Sequence, residues 1–194
     1  MKKHPTREAW LLAAAELLRP IFAEKGFKIP ECSVSCGFPS TGMRSSAIGQ
    51  CWSTRSSTNS LNQIFISPIL EDPYEVIDTL VHELVHAVDD CLHKHGKEFK
   101  KIALSVGLEG KMRHASAGEK LKLTLIKLLK ILGPYPHGKL KIITPVRIIT
   151  PRPKAICKKC GFQVPMYKKF LSYGPPICPK DKISMKQVGV WEET

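Results

Sequence analysis

The most informative segment of the chain covers residues 72–88 and reads DPYEVIDTLVHELVHAV. Asp72 has the side chain of a helix N-cap, Pro73 suits the first helical position, and Glu75 places an acid in the first turn. The pattern predicts a buried helix from Tyr74 to about Cys91, because its apolar residues wrap most of the helix surface. These apolar residues are Val76, Ile77, Leu80, Val81, Leu84, Val85 and Val88.

His82, Glu83 and His86 form an HExxH sequence within this helix. Histidines four residues apart project about 40° from each other and lie one turn apart, so both rings can reach one Zn²⁺ ion. Glu83 neighbours His82, where its carboxylate can accept a proton from a zinc-bound water without ligating the metal. The alternative is a helix that buries two ordinary core histidines. The motif therefore indicates a zinc site with Glu83 as the general base.

A catalytic zinc site needs a third protein ligand and one open position. The metzincin extension is absent, because Asp89 and Leu92 stand where that motif requires Gly and His. His93 would lie about 10 Å further along a continuous helix, too far to share the ion. His95 is the favoured ligand, since Gly96 permits a sharp turn that folds the chain back. The rival third ligands are His93, Glu98 and Glu109.

Short strands and a first helix are predicted before this segment. Apolar residues recur at helical spacing between Trp10 and Phe22, which predicts an amphipathic helix. The β-branched stretch at residues 63–67 predicts a strand that Pro68 ends. The first part of the chain therefore contains both helix and sheet.

Two further helices and a connector are predicted after the HExxH segment. One helix is expected over residues 97–106, closed by Gly107, and the next begins at Ser116, where Glu119 completes a capping box. Residues 134–153 contain five prolines and predict an extended connector or short strands. The strand-like pairs in this connector are Ile142-Ile143 and Ile148-Ile149.

Three of the seven cysteines form a pattern typical of a metal site. Cys157 and Cys160 precede Gly161, which permits the tight turn of a zinc knuckle, and Cys178 follows. Asp181 stands where a zinc ribbon would have its fourth cysteine. We expect a second, structural zinc held by the three cysteines and by Asp181 or another fourth ligand, with a degenerate, metal-free ribbon as the alternative. The other cysteines are interpreted as reduced thiols: Cys32, Cys36, Cys51 and Cys91.

The excess of positive over negative charge lies entirely in the second half of the chain. The sequence has 30 Lys and Arg residues against 17 Asp and Glu, a net charge of +13. Residues 1–110 hold 12 basic and 13 acidic residues, a net of −1, and residues 111–194 hold 18 and 4, a net of +14. This excess predicts binding to a polyanion, with nucleic acid as the expected partner and a solvated lysine-rich surface as the alternative. Aromatic residues that could stack on bases or fill the module's core are Phe162, Tyr167, Phe170, Tyr173 and Trp191.

The sequence favours a cytoplasmic protein with no membrane partner. No stretch is apolar over the roughly 18 residues that a membrane span requires. The apolar run near the N-terminus is interrupted by Glu16 and Arg19, so we interpret it as part of a helix and not as a signal peptide. An odd number of cysteines argues against a complete disulfide framework.

Several of these motifs resemble the SprT-like zinc metallopeptidases, the family that includes the Spartan proteases, and particularly their short members in bacteriophage genomes. The resemblance extends from about Cys32 to Lys182 and rests on IFISP at residues 64–68, DTLVHELVHA at 78–87, HGxxF at 95–99 and YPH at 135–137. It implies a minimal zincin fold and peptide-bond hydrolysis. It also implies His82, His86 and His95 as zinc ligands and Glu83 as the catalytic base.

These features together predict an α+β protein with three parts. Residues 1–133 form a zincin-like metallopeptidase domain of helices packed on a small β-sheet, residues 134–153 a proline-rich connector, and residues 154–194 a basic, zinc-ribbon-like module. The expected function is zinc-dependent cleavage of proteins associated with DNA by a monomeric enzyme, in the host cytoplasm if the gene belongs to a phage. The alternative is a nucleic-acid-binding protein whose zinc site is structural and has no turnover.

Overall fold

The structure is a computed structural model that describes residues 4–43, 46–142 and 152–191. It has mixed α and β content and divides into two compact units, Met1–Ile142 and Ile143–Thr194. The helices of the first unit are α1 (Arg7–Glu24), α2 (Pro73–Val88), α3 (Lys97–Val106) and α4 (Glu119–Leu132). Its strands are β1 (Cys32–Cys36), β2 (Gly49–Trp52), β3 (Asn62–Ile66), β4 (Leu108–Glu109) and β5 (Ser116–Ala117).

A three-stranded sheet in the order β1-β3-β2 forms one layer of the first unit. Strand β3 pairs in parallel with β1 and antiparallel with β2, where Cys51 lies opposite Ile64. β3 alternates buried and half-buried residues, as expected for a strand with one face on the core. β2 therefore lies at an edge of the sheet, and it is the strand that packs most extensively on α2.

Helix α2 begins as the sequence predicts. The Asp72 carboxylate accepts a hydrogen bond from the backbone N–H of Tyr74 at 3.0 Å, and Pro73 occupies the first turn. The helix ends at Val88, three residues before the predicted end, because Asp90 and Cys91 adopt left-handed backbone conformations with φ of 46° and 57°. This early end allows the chain to reverse direction.

The core of the first unit lies between the four helices and the sheet. Helix α1 is confirmed, with Thr6 as its N-cap and with Trp10 completely buried. The indole N–H of Trp10 donates to the carbonyl oxygen of Gly133 at the end of α4, and the ring packs edge-on against Tyr135. Residues 134–142, predicted as the start of the connector, belong to this first unit. The predicted strand-like residues 143 and 148–149 lie outside the described part of the chain.

Helix α3 has the predicted bounds, but the start predicted for α4 is wrong. Ser116 lies in β5, which pairs with β4 to form a short hairpin, and α4 begins at Glu119 with Gly118 as an N-cap that has no side chain to contribute. The backbone N–H of Ala117 donates to the Asp78 carboxylate at 2.8 Å. Ser116 and Ala117 thus bond to β4 and α2, and no capping box forms at Ser116.

The second unit is a small three-stranded antiparallel sheet in the order β7-β6-β8. The strands are β6 (Lys154–Ile156), β7 (Gln163–Pro165) and β8 (Lys186–Val188), and a 3₁₀ helix covers Lys168–Tyr173. Its buried cluster consists of Ala155, Cys157, Cys178 and Met185. Over the described residues of the chain, no helix combines the length and the apolar character that crossing a bilayer demands.

Candidate metal centres

Three histidines of the first unit converge on one point. The Nε2 atom of His95 lies 3.3 Å from Nε2 of His82 and 3.2 Å from Nε2 of His86. His82 and His86 project from successive turns of α2, and His95 comes from the loop that precedes α3. The predicted third residue therefore lies with the HExxH histidines in a group that could hold a metal ion.

The chain reversal after α2 carries His95 to the other two histidines. The Cys91 N–H donates to the carbonyl oxygen of His86, and the Gly96 N–H donates to that of His93, both at 2.8 Å. Phe99, one turn into α3, is completely buried, and its ring centroid lies 4.3–5.1 Å from those of the three histidines. The Phe99 ring therefore packs against all three imidazoles.

The rival third ligands lie elsewhere. His93 is half-exposed, and its Nδ1 lies 2.7 Å from the buried Asp89 carboxylate, so the two form an ion pair when His93 is protonated. The Asp89 partner raises the pKa of His93. Among the described residues, the metal-ligating group that contains His82 and His86 includes neither His93, Glu98 nor Glu109.

The three imidazoles are held in the neutral form that binds metal. Burial is the main cause that lowers the pKa of His82 to about 4 and that of His86 to about 3, and the neighbouring histidines lower both further. Burial also lowers the pKa of His95, with contributions from Arg113 and His114. The Nδ1–H of His82 donates a hydrogen bond to the carbonyl oxygen of Ala115, 3.4 Å away, and this tautomer leaves Nε2 free to bind metal.

The spacing of the three nitrogens fits zinc. Nitrogen ligands 2.0–2.1 Å from a tetrahedral Zn²⁺ ion are about 3.3 Å apart. The distances of 3.2 and 3.3 Å between the imidazole nitrogens match that value. Three neutral imidazoles are also a ligand set that zinc accepts in catalytic sites. The residues present therefore fit the expected ion.

Glu83 lies beside the three histidines with its side chain almost completely buried. Burial raises the pKa of its carboxyl group to about 8, and a hydrogen bond from the Cys51 backbone opposes that rise. The carboxylate packs against β2 so closely that a methyl group at Gly49 would lie 2.5 Å from Oε1 of Glu83. Gly49 thus provides the space that the Glu83 side chain occupies.

A cleft of about 730 Å³ opens over the histidines and Glu83. Its walls are β2 with the residues before it, α2, the turn that contains Lys94, and the β4–β5 hairpin.

Sequence reasoning missed several residues that line this cleft. Asp78 could have been found because it precedes His82 by four residues on the same helix face, and Gly49 because glycine in a strand often marks a close approach. Arg113 and His114 carry no such signal.

The second unit brings together the other predicted ligands, Cys157, Cys160, Cys178 and Asp181. The sulfur atoms of Cys160 and Cys178 are 3.6 Å apart, and Oδ2 of Asp181 lies 3.2 Å from the Cys157 sulfur and 3.6 Å from the Cys178 sulfur. Around a tetrahedral zinc ion, two sulfurs would be about 3.8 Å apart and a sulfur and an oxygen about 3.6 Å. The four side chains therefore fit a zinc ion with Asp181 in the fourth position.

Two tight turns shape this second cluster. The Gly161 N–H donates to the carbonyl oxygen of Cys157 at 3.0 Å, and the Lys182 N–H donates to that of Cys178 at 2.9 Å. Both turn residues have positive φ, 75° for Gly161 and 56° for Lys182. Hydrogen bonds from the cysteine thiols lower the pKa of Asp181, so the carboxylate is ionised at neutral pH. The tight turn predicted at Gly161 is therefore present, and the loop that contains Asp181 has a similar turn.

No family model matches the chain, and comparisons with curated proteins and with solved structures find no significant match. The fold and the sites define the class by themselves. The chain is a two-unit protein of mixed α and β structure, with one cluster of three histidines and one of three cysteines and an aspartate, each able to hold a metal ion such as zinc.

Proposed function

We propose that this chain is a zinc-dependent endopeptidase of the SprT-like type that acts on proteins associated with DNA. The observation that carries the proposal is the convergence of three neutral imidazole nitrogens at zinc spacing beside a buried carboxyl group. A structural zinc site is closed by four protein ligands, whereas a catalytic one keeps a position open. The His82, His86 and His95 cluster has three ligands and faces a cleft, as catalysis requires.

Glu83 is the proposed general base. Zinc held by His82, His86 and His95 would supply Lewis acidity at the scissile carbonyl group. The Glu83 carboxylate takes a proton from the attacking water as the water oxygen bonds to the carbonyl carbon. It then returns the proton to the amide nitrogen as the C–N bond breaks. Burial raises the pKa of Glu83, and the positive charge of a bound Zn²⁺ would lower it again, which favours the ionised carboxylate that a general base requires.

The edge strand β2 is the proposed binding site for the peptide substrate, at backbone groups other than those of Cys51, which bond Glu83 and the Cys91 thiol. In the part of the chain that the structure describes, β2 pairs only with β3, and its residues line the cleft next to Glu83. An extended peptide can add to such an edge through backbone hydrogen bonds, which are largely independent of its side chains. This mode would place a scissile bond near the histidine cluster without requiring a particular sequence.

The second unit is the proposed nucleic-acid contact. Tyr167 and Tyr173 are 74% and 82% exposed, and the small core is formed by other residues, so these rings are available for stacking on unpaired bases. The Phe170 ring lies 5.8 Å from that of Tyr173, and Lys169 Nζ lies 4.7 Å from the Phe170 centroid. Further exposed cations of this unit are Lys158, Lys159, Lys180, Lys182 and Lys186. They would bind phosphates in a salt-dependent manner.

A comparison of the wild type with Glu83→Gln tests the proposal. Both proteins, after metal counting by mass spectrometry, are incubated with a basic DNA-binding protein alone, with duplex DNA and with single-stranded DNA. We expect cleavage by the wild type, stronger with DNA, and a loss of about 10²-fold or more in Glu83→Gln at unchanged zinc content. Glu98→Gln, an exposed glutamate of α3, is the matched control and should cleave normally.

Two outcomes would contradict this function. Equal cleavage by wild type and Glu83→Gln would exclude Glu83 as the base. Absence of cleavage by a fully zinc-loaded wild type under every DNA condition would favour the alternative, a nucleic-acid-binding protein with a structural zinc site. Absence of zinc from protein purified without chelator would exclude the metal centre itself.

A further inference from the structure

One wall of the cleft carries two cationic side chains and a further histidine next to the histidine cluster. Arg113 and His114 lie in the loop of the β4–β5 hairpin, and Lys94 precedes the metal-ligating His95. All three line the cleft and are exposed to solvent within it. The wall is therefore positioned to contact a bound substrate close to the scissile bond.

The hairpin that presents Arg113 and His114 is fixed to α2. Asp78 accepts the hydrogen bond from Ala117 at 2.8 Å, and the carbonyl oxygen of Ala115 accepts from His82 at 3.4 Å. Ala115 itself is buried in the core of the first unit. Because these bonds directly follow residues 113 and 114, they tie that end of the loop to the helix that carries the histidines.

The positive charge of this wall is not neutralised by the protein. In the described ranges of the chain, neither Lys94 nor Arg113 forms an ion pair with a carboxylate. Of the two acids in the cleft, Asp78 is engaged with the hairpin backbone, and Glu83 packs against β2 at Gly49. Cations without a carboxylate partner beside a substrate position favour an anionic ligand group.

We propose that Arg113, assisted by His114 and Lys94, forms a subsite that selects an acidic side chain of the peptide substrate next to the scissile bond. This specificity rests on the proposed peptidase function, which it deepens. The planar guanidinium of Arg113 can bind a carboxylate through two parallel hydrogen bonds. A peptide carboxylate is favoured over a phosphate because the subsite adjoins the β2 edge and Glu83, whereas the exposed aromatic rings proposed for nucleic acid belong to the other unit.

Peptide binding to the zinc-loaded Glu83→Gln protein tests this subsite without requiring turnover. Two sets of fluorescent peptides are compared by anisotropy, identical except that each carries Glu or Gln at one position, scanned across the binding segment. We expect one position at which Glu binds about tenfold more tightly than Gln, the strength of a charge-assisted hydrogen-bonded pair. Adding Arg113→Gln should reduce that ratio to about one, and Arg113→Lys should keep part of it.

Lys111→Gln provides the matched control. Lys111 lies on the same hairpin and its replacement removes the same charge, but it does not line the cleft. We expect it to leave the Glu to Gln ratio unchanged. Zinc content and circular dichroism of Arg113→Gln establish that the variant is folded and loaded.

Three results would overturn the subsite. Equal binding of Glu and Gln peptides at every position would do so, as would an equal loss of selectivity in Lys111→Gln. A third is a fall in single-stranded DNA affinity in Arg113→Gln with the peptide ratio intact, which would assign the wall to nucleic acid. Because the binding assay uses a protein that cannot cleave, a failure of the peptidase proposal appears separately, as an inactive wild type that still discriminates Glu from Gln.

Discussion

Gly49 on the edge strand β2 should be intolerant of even one additional carbon atom. A Cβ at this position would lie 2.5 Å from Oε1 and 2.9 Å from Cγ of Glu83, and 2.7 Å from Cγ2 of Thr79. Both neighbours belong to the buried face of α2, so neither can move freely. The Gly49→Ala protein must therefore displace the Glu83 side chain, the edge strand, or both.

The expected cost combines overpacking with misplacement of the general base. Inserting a methyl group into a packed site destabilises by about 1–3 kcal/mol, which corresponds to a fall of about 3–10 °C in the melting temperature of a protein of this size. A shift of the Glu83 carboxylate by about 1 Å should lower kcat about 10²-fold. Zinc content should stay unchanged, because the contacts at Gly49 involve none of the three histidines.

Thermal unfolding, zinc counting and peptide cleavage measure the three effects. Gly138→Ala is the matched control, because an added Cβ at Gly138 meets no atom within 4 Å. That variant should melt and cleave like the wild type. If Gly49→Ala melted within about 1 °C of Gly138→Ala and cleaved at the wild-type rate, the packing of Glu83 against β2 would be wrong.

Two further predictions concern the metal clusters. Asp181→Ala should weaken zinc binding in the second unit about a hundredfold, as expected for one of four ligands, and Asp181→Cys should strengthen it. Chelator competition measures both affinities. Equal affinities of the variants and the wild type would remove Asp181 from the ligand set. In metal-free Glu83→Gln, the free energy of unfolding should be greatest above about pH 6.5 and fall by about 2–3 kcal/mol by pH 5.5. The reason is that His82 and His86 have a pKa of about 6.5 in the unfolded chain but of about 4 and 3 in the folded protein. Denaturant unfolding at pH 7.5 and 5.5 checks this, and a flat profile would contradict the burial of the imidazoles. The Glu83→Gln background is needed because Glu83 has a raised pKa in the folded protein. Its protonation would therefore stabilise the wild type as the pH falls and would mask the effect of the histidines.

Local signals explain the elements that the sequence predicted well. The start of α2 depends on Asp72 and Pro73, and α3 ends at Gly107, which adopts a φ of 99° that other residues avoid. His95 could be selected because a reversal after α2 was the arrangement that satisfied a three-ligand site. Each of these inferences needed only neighbouring residues and standard helix geometry.

Long-range pairing explains the elements that the sequence did not predict. Ser116 and Glu119 have the spacing of a capping box, but β5 pairs with β4 and donates to Asp78, which lies 39 positions away from Ala117. The need for glycine at position 49 arises from Glu83, on a different element. A local pattern can mark such a residue, as glycine in a strand does at position 49, but it does not identify the partner on another element, so sequence reasoning about the site stopped at the metal ligands and the base.

The surroundings of the two clusters separate their roles. In the second unit, two of the four residues that form the buried cluster, Cys157 and Cys178, are themselves candidate ligands, so a metal there would hold together a unit that has little other core. In the first unit the core is formed by all four helices and the sheet, and none of the three histidines is among its buried residues. A metal bound by the three histidines is therefore not needed to build that core, which agrees with the proposal of a site that keeps an open position.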